Sequence, residues 1–432
     1  MKKIIASVGG LAAVAAAAFG LYAYHGEIGP RDAREKPAFD SAVVAKGREL
    51  AAAGFCAECH TQPGQAPYAG NYPLDTGFGI IYGSNLTPDP ETGIGLWTEA
   101  AFNRALKQGV DRKGRNLFPA FPYDHFTKMT DEDVRAVYAY LMSEVKPVRN
   151  QVKDSTIPFP LNIRWLQSGW KLLFVDFGTY QPDKGKSDLW NRGAYLVEGV
   201  SHCGACHTPR NLLGGEEKSR QFEGAVIDKW IAPALTSANA SVVPWTAKDL
   251  SGYLKSGVSQ YHGVSVGPMG PVVHAGLRKL PDRDVEAIGV YLADKLKTPD
   301  FDPAKNPLVQ ASLATGRTDR TYRDDEGKRL YVTACASCHY NVKEVLPARP
   351  DLAINSATRI SAPDNLIQVI LNGVVSDDGI QGVVMPRFRD ALSDQEIAAI
   401  VNYLRGQRAQ LKPWDDVERK VGEIRKATTT RH

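Results

Sequence analysis

Of the 432 residues in this chain only six are cysteine, and none lies outside three copies of one pentapeptide. Structural zinc is excluded by that count, because each four-ligand site draws on two Cys-x-x-Cys pairs and an odd number leaves one unmatched. A thioredoxin-type redox pair is excluded by context, since no segment reads as the βαβ unit it needs. Charge of one sign is scarce as well: 52 Lys and Arg against 48 Asp and Glu leave a formal +4, which does not mark a nucleic-acid binder. Nor is there any signature for flavin, pyrroloquinoline quinone or molybdopterin.

What is present is Cys-x-x-Cys-His, at Cys56–Cys59–His60, Cys203–Cys206–His207 and Cys335–Cys338–His339. This is the attachment signature of c-type haem. Two thiols three residues apart add across the two vinyl groups of one porphyrin. The histidine that follows then sits under the iron and donates a ring nitrogen to it. The chain is expected to carry three covalently bound haems c. Their propionates, set against ferric iron, cancel most of the formal positive charge.

Covalent haem attachment takes place outside the cytoplasmic membrane, and the N-terminus agrees. Met1-Lys2-Lys3 is a basic start, followed by an almost unbroken apolar run from Ile4 to Tyr24. That is the layout of a secretory signal, and it is also long enough to span a bilayer at roughly 20 residues per crossing. Residues 1–25 therefore read as a signal peptide or a membrane anchor, with the bulk of the chain on the periplasmic side.

The haem motifs sit in a larger repeat. Each unit opens with a glycine-bearing helical stretch, Gly47–Leu50, Gly193–Leu196 and Gly327–Leu330. Glycine there lets two helices cross closely. Trp97-Thr98 and Trp245-Thr246 then start a middle helix that stops at Gly109 and Gly257, and the third copy keeps the stop at Gly373. A capped helix ending in Tyr140-Leu141, Tyr291-Leu292 or Tyr403-Leu404 closes each unit. The fold class is all-α, three tandem class I cytochrome c-like haem domains at 40–147, 188–296 and 320–407. The stretch 148–187, with Trp165, Trp170, Leu172, Leu173, Phe174 and Phe177, is too apolar for an unattached linker and is expected to pack across domains or against a partner. The link near 296–320 reads as an ordinary surface connection. In the tail 408–432, Trp414, Val417, Val421 and Ile424 share one side of a helix that touches its own protein, a membrane or a partner.

The second axial ligand decides between electron transfer and chemistry on bound oxygen or peroxide. Each repeat is expected to supply it from the loop before its last helix. Met385-Pro386 serves in the third and Met269 in the second, where His262 and His274 compete. In the first repeat Phe121 holds the expected position and cannot bind iron. His125 is the favoured ligand there, with Met129 the alternative.

These features together resemble the triheme cytochrome c subunits of bacterial membrane-bound periplasmic dehydrogenases. The resemblance also rests on Asn85–Pro90, Gly93–Thr98, the Pro-Phe-Pro-Leu-Asn-Ile run at 158–163 and Met269–Val273. It implies an electron-transfer subunit, not an enzyme in its own right. Such a subunit carries electrons from a large catalytic subunit of molybdopterin, flavin or pyrroloquinoline quinone type to ubiquinone or a terminal oxidase pathway. The run Pro119–Phe126 is more similar to the cytochromes of molybdenum hydroxylases. The rival readings are a self-contained, peroxidase-like haem enzyme at the first haem and a free-standing electron shuttle.

Overall fold

In each repeat the first helix crosses the last one at a glycine. Helix Ser41–Ala53 lies so close to helix Asp131–Ser143 that a Cβ on Gly47 would overlap the Ala136 carbonyl. Gly193, in helix Asp188–Tyr195, meets the Ala287 carbonyl of helix Asp282–Leu296 in the same way. Gly327, in helix Glu326–Ala334, meets the Ala399 carbonyl of helix Asp394–Tyr403. A methyl group at any of the three would force the helix pair apart. The crossing is the frame on which each haem motif is mounted.

The computed structural model describes residues 14–32, 34, 37–299, 302–318, 325–375 and 380–429. Met1 to Lys3 and the apolar run as far as residue 13 lie outside them, and 14–23 form a helix. Among the described residues no helix is long and apolar enough to cross a membrane.

The middle helices begin and end where their capping chemistry dictates. Thr98 accepts the Ala101 N–H at the start of Glu99–Gln108, and Thr246 with Asp249 forms a capping box at the start of Ala247–Ser256. Gly109 (φ 62°) and Gly257 (φ 83°) end them in the left-handed region. Sheet among the described residues is confined to three two-stranded antiparallel hairpins, Pro73–Asp75 with Ile80–Tyr82, Ala225–Ile227 with Trp230–Ala232, and Val258–Ser259 with Gly263–Val264.

The chain divides into two units. One holds the chain up to Pro182 with Tyr195–His202, and the other holds Asp183–Ala194 with Cys203–His432. In the first unit the apolar stretch docks on the first repeat through its polar side. Lys171 Nζ donates to the carbonyls of Gln108 (2.7 Å) and Gly109 (2.9 Å) and to Asn116 Oδ1 (2.7 Å), and Asn116 Nδ2 donates to Ser168 Oγ.

In the second unit the link after 296 departs from the surface connection expected of it. It folds as helix Pro307–Thr318 and buries Val309 and Leu313 in a cluster with Val243, Val345 and Ile354. The polar composition of the link conceals this, because two apolar side chains one turn apart suffice to seat a short helix. The tail folds back as helix Val417–Thr429, with Val417, Val421 and Ile424 buried in the core of the third repeat.

Candidate haem centres

The three haem motifs form short helices, Cys56–His60, Gly204–His207 and Ala336–His339. In each, the histidine Nδ1 lies at hydrogen-bond distance from one backbone carbonyl: Ser84 for His60 (2.7 Å), Pro233 for His207 (2.7 Å) and Pro350 for His339 (2.8 Å). A carbonyl can only accept, so Nδ1 carries the proton and Nε2 presents its lone pair. An iron-ligating histidine needs this tautomer, and the hydrogen bond behind the ring fixes its orientation. Burial lowers the pKa of all three rings, which keeps them neutral. In the first repeat Gly83 makes the arrangement possible, because a Cβ there would overlap the Cys59 carbonyl and push Ser84 away from His60.

Burial pushes the Cys56 and Cys203 thiols up to about 12 and that of Cys335 up to about 11. A thioether has no proton to lose. Closing these sulfurs into apolar surroundings therefore carries no ionisation penalty once they are bonded to a porphyrin.

The loop after each middle helix follows one plan. Val110 pairs with Asn116, Val258 with Val264 and Val374 with Met385. Beyond these pairings the chain reaches Phe121 and Met269, while Met385 lies in the pairing itself; all three side chains are half-buried. The residues that compete with them are engaged elsewhere. His262 is buried, stacks on Trp245 at 3.6 Å and has Nδ1 2.9 Å from Ser241 Oγ. His274 has Nε2 3.0 Å from Ser265 Oγ. Met129 is a core residue, 2 % exposed. His125 is buried in the short helix Tyr123–Phe126, with Nδ1 2.9 Å from the Glu198 carbonyl and its ring 6.3 Å from that of His202.

Sequence reasoning missed the three carbonyl acceptors, because a main-chain oxygen leaves no mark on residue type. It also missed Asp351, which follows the acceptor Pro350 and is buried against Ser312 and Arg408.

Comparison with known proteins agrees with this plan. A family model described as "Cytochrome c" matches residues 44–144, and one described as "Cytochrome C oxidase, cbb3-type, subunit III" matches 323–404. The fructose dehydrogenase cytochrome subunit of Gluconobacter japonicus is 37% identical over 84% of this chain and 78% of its own length. The gluconate 2-dehydrogenase cytochrome c subunit of Pantoea cypripedii is 36% identical over 90% and 91%. The chain belongs to the family of dehydrogenase cytochrome c subunits. One of the two nicotinate dehydrogenase chains of Pseudomonas putida is 41% identical over 96% of this chain, which spans 35% of that protein's length.

As a family member the chain binds haem c covalently and transfers electrons within a dehydrogenase complex. It is not the catalytic subunit, which sets aside the peroxidase-like and free-shuttle readings. The all-α, cytochrome c-like fold class stands.

Proposed function

We propose that this chain holds three haems c and carries electrons from a large catalytic dehydrogenase subunit to ubiquinone or a terminal oxidase pathway, on the periplasmic side of a membrane. The observation that carries the reading is the threefold histidine–carbonyl pair, at 2.7, 2.7 and 2.8 Å. Cys56, Cys59, Cys203, Cys206, Cys335 and Cys338 hold the porphyrins, and His60, His207 and His339 take the proximal positions. Met269 and Met385 take the distal positions of the second and third haems. His125 is our choice for the first, with Met129 the alternative.

A haem with both axial positions filled supplies one-electron transfer without binding oxygen. The residues around it exclude water and hold each proximal ring neutral and oriented. With His125 on the first iron, that haem has the lowest potential of the three, because axial ligands tune haem over roughly 0.8 V. Electrons then run from the first centre toward the two methionine-ligated ones. The catalytic partner we favour oxidises an N-heteroaromatic compound. The Pro119–Phe126 run and the identity to a nicotinate dehydrogenase chain support that choice over a sugar or alcohol partner.

The test is to extract the chain from its native membrane in mild detergent, count haem per chain as the pyridine adduct, and identify what co-purifies. Three haems and a large subunit with molybdopterin, reducing the cytochrome when given an N-heteroaromatic substrate, are expected. Fewer than three haems, or a chain that emerges alone, would overturn the proposal. A redox titration that places the first haem highest would overturn the ordering.

A further inference from the structure

The helix Gln167–Phe174 is amphipathic in the wrong sense for water. Its polar residues Gln167, Ser168 and Lys171 are the buried ones, held against the first repeat by the hydrogen bonds described above. Leu172 and Leu173 are 59 % and 68 % exposed, and Trp165, in the turn that leads into the helix, is exposed too. Residues 165, 169, 172 and 173 follow the four-, seven- and eight-residue spacing of a single helix face. Phe159, Leu161 and Phe177 add exposed apolar area at its two ends. Both cations of the stretch turn inward: Arg164 donates to the Asn116 carbonyl at 3.1 Å, and Lys171 to the carbonyls of Gln108 and Gly109. Asp176 is the one acidic residue between 159 and 177.

A soluble helix arranges itself the other way round. The neighbour of this face identifies the medium it is built for. Phe19, in the helix over 14–23, has its ring 5.6 Å from that of Trp165 and 3.7 Å from where a Cβ on Gly169 would stand. Gly169 thus opens a seat for Phe19 in the middle of the face. Phe19 belongs to the apolar run Ile4–Tyr24, which carries exposed Leu21, Tyr22 and Tyr24 at its end. A segment suited to a bilayer therefore lies directly on the exposed apolar face. Tryptophan and tyrosine collect there, as they do where proteins meet the lipid headgroup level.

We propose that the face formed by Trp165, Leu172, Leu173, Phe159 and Phe177 rests in the interfacial layer of a phospholipid bilayer, beside the N-terminal apolar run. This rests on the membrane-side location given under Proposed function and adds the surface responsible for it. The first repeat, joined to this face through Lys171 and Ser168, is then the one held at the lipid surface.

The test uses the full haem-loaded chain in vesicles of phosphatidylethanolamine and phosphatidylglycerol doped with a phospholipid bearing a photoactivatable acyl chain. After illumination, adducts are mapped by peptide mass spectrometry. Lipid adducts are expected on peptides from 159–177 as well as from 14–24. The double variant L172D/L173D, which changes only exposed side chains, should lower the 159–177 adducts at least tenfold and leave the haem spectrum unchanged. L212D, at an exposed leucine of the other unit, should change nothing. Labelling confined to 14–24, or equal labelling of wild type and double variant, overturns the proposal. So does loss of the 159–177 adducts when the catalytic subunit is present, because the face would then be covered by protein. Haem content and co-purification, measured on the same preparation, report separately on the electron-transfer reading.

Discussion

Asp351 and Arg408 form an ion pair at 3.5 Å with side chains 0 % and 3 % exposed, one residue past the carbonyl that holds His339. Ser312 Oγ, from the helix that links the second and third repeats, lies 2.7 and 2.8 Å from the two Asp351 oxygens, and the Ala353 N–H donates to Oδ1 at 3.0 Å. Arg408 also stacks over the Tyr340 ring at 4.7 Å. The link helix and the chain beyond the last helix thus converge on the proximal side of the third haem. Removing one charge leaves the other buried and unpaired, at a cost of roughly 3–5 kcal/mol, whereas removing both costs much less. R408M should therefore lower the melting temperature of the second unit well below that of R408M/D351N. Scanning calorimetry with haem absorbance as a second probe checks the order of the two.

Two helix glycines of the same unit separate close approach from propensity. A Cβ on Gly193 would overlap the Ala287 carbonyl, while one on Gly252 meets nothing within 4 Å. G193A should destabilise by about 1–3 kcal/mol through overpacking and lower the yield of haem on the second motif. G252A, in helix Ala247–Ser256, should stabilise by about 0.5–1 kcal/mol, since alanine is the better helix former. Denaturant unfolding of the two variants should shift in opposite directions.

Such contrasts show which features reach the sequence. The haem motifs, the crossing glycines Gly47, Gly193 and Gly327, and the caps Thr98, Thr246 and Ser393 are legible, because each position tolerates few residue types. The link helix is not: Val309 and Leu313 acquire their role only against Val243, Val345 and Ile354, which are distant in sequence. The outward turn of Leu172 and Leu173 is hidden for a related reason. The apolar pattern of a helix gives the direction of its hydrophobic face but not whether protein or another medium lies there, and here the polar anchor Lys171 decides.

Lys171 should leave a signature in the pH dependence of stability. It is 3 % exposed, and burial pulls its ammonium down from the usual lysine range to about 7. The unfolded chain holds that proton up to a pH near 10.4. Between these values the unfolded state binds more protons, so unfolding free energy rises with pH, by at most about 1.4 kcal/mol per unit. Below about 7 both states are protonated and the slope vanishes. K171M, which has nothing to titrate, should lose this rise. Denaturant midpoints of wild type and variant at several values between pH 7 and 10 give the difference directly.

The first haem offers a test of ligation that needs no structure. Its two protein candidates differ in surroundings: Met129 is packed into the core between the short helix Tyr123–Phe126 and the last helix, and His125 lies beside His202. Phe121, in the place taken by Met269 and Met385, has no atom to offer iron. With His125 as the ligand, the reduced wild-type chain binds no carbon monoxide, H125A binds it at one haem in three, and M129L binds none. The same H125A substitution should raise the lowest of the three potentials, because a strong nitrogen donor has been removed. If M129L opened the site and H125A did not, sulfur ligation at the first haem would follow, and the downhill order of the centres would have to be redrawn.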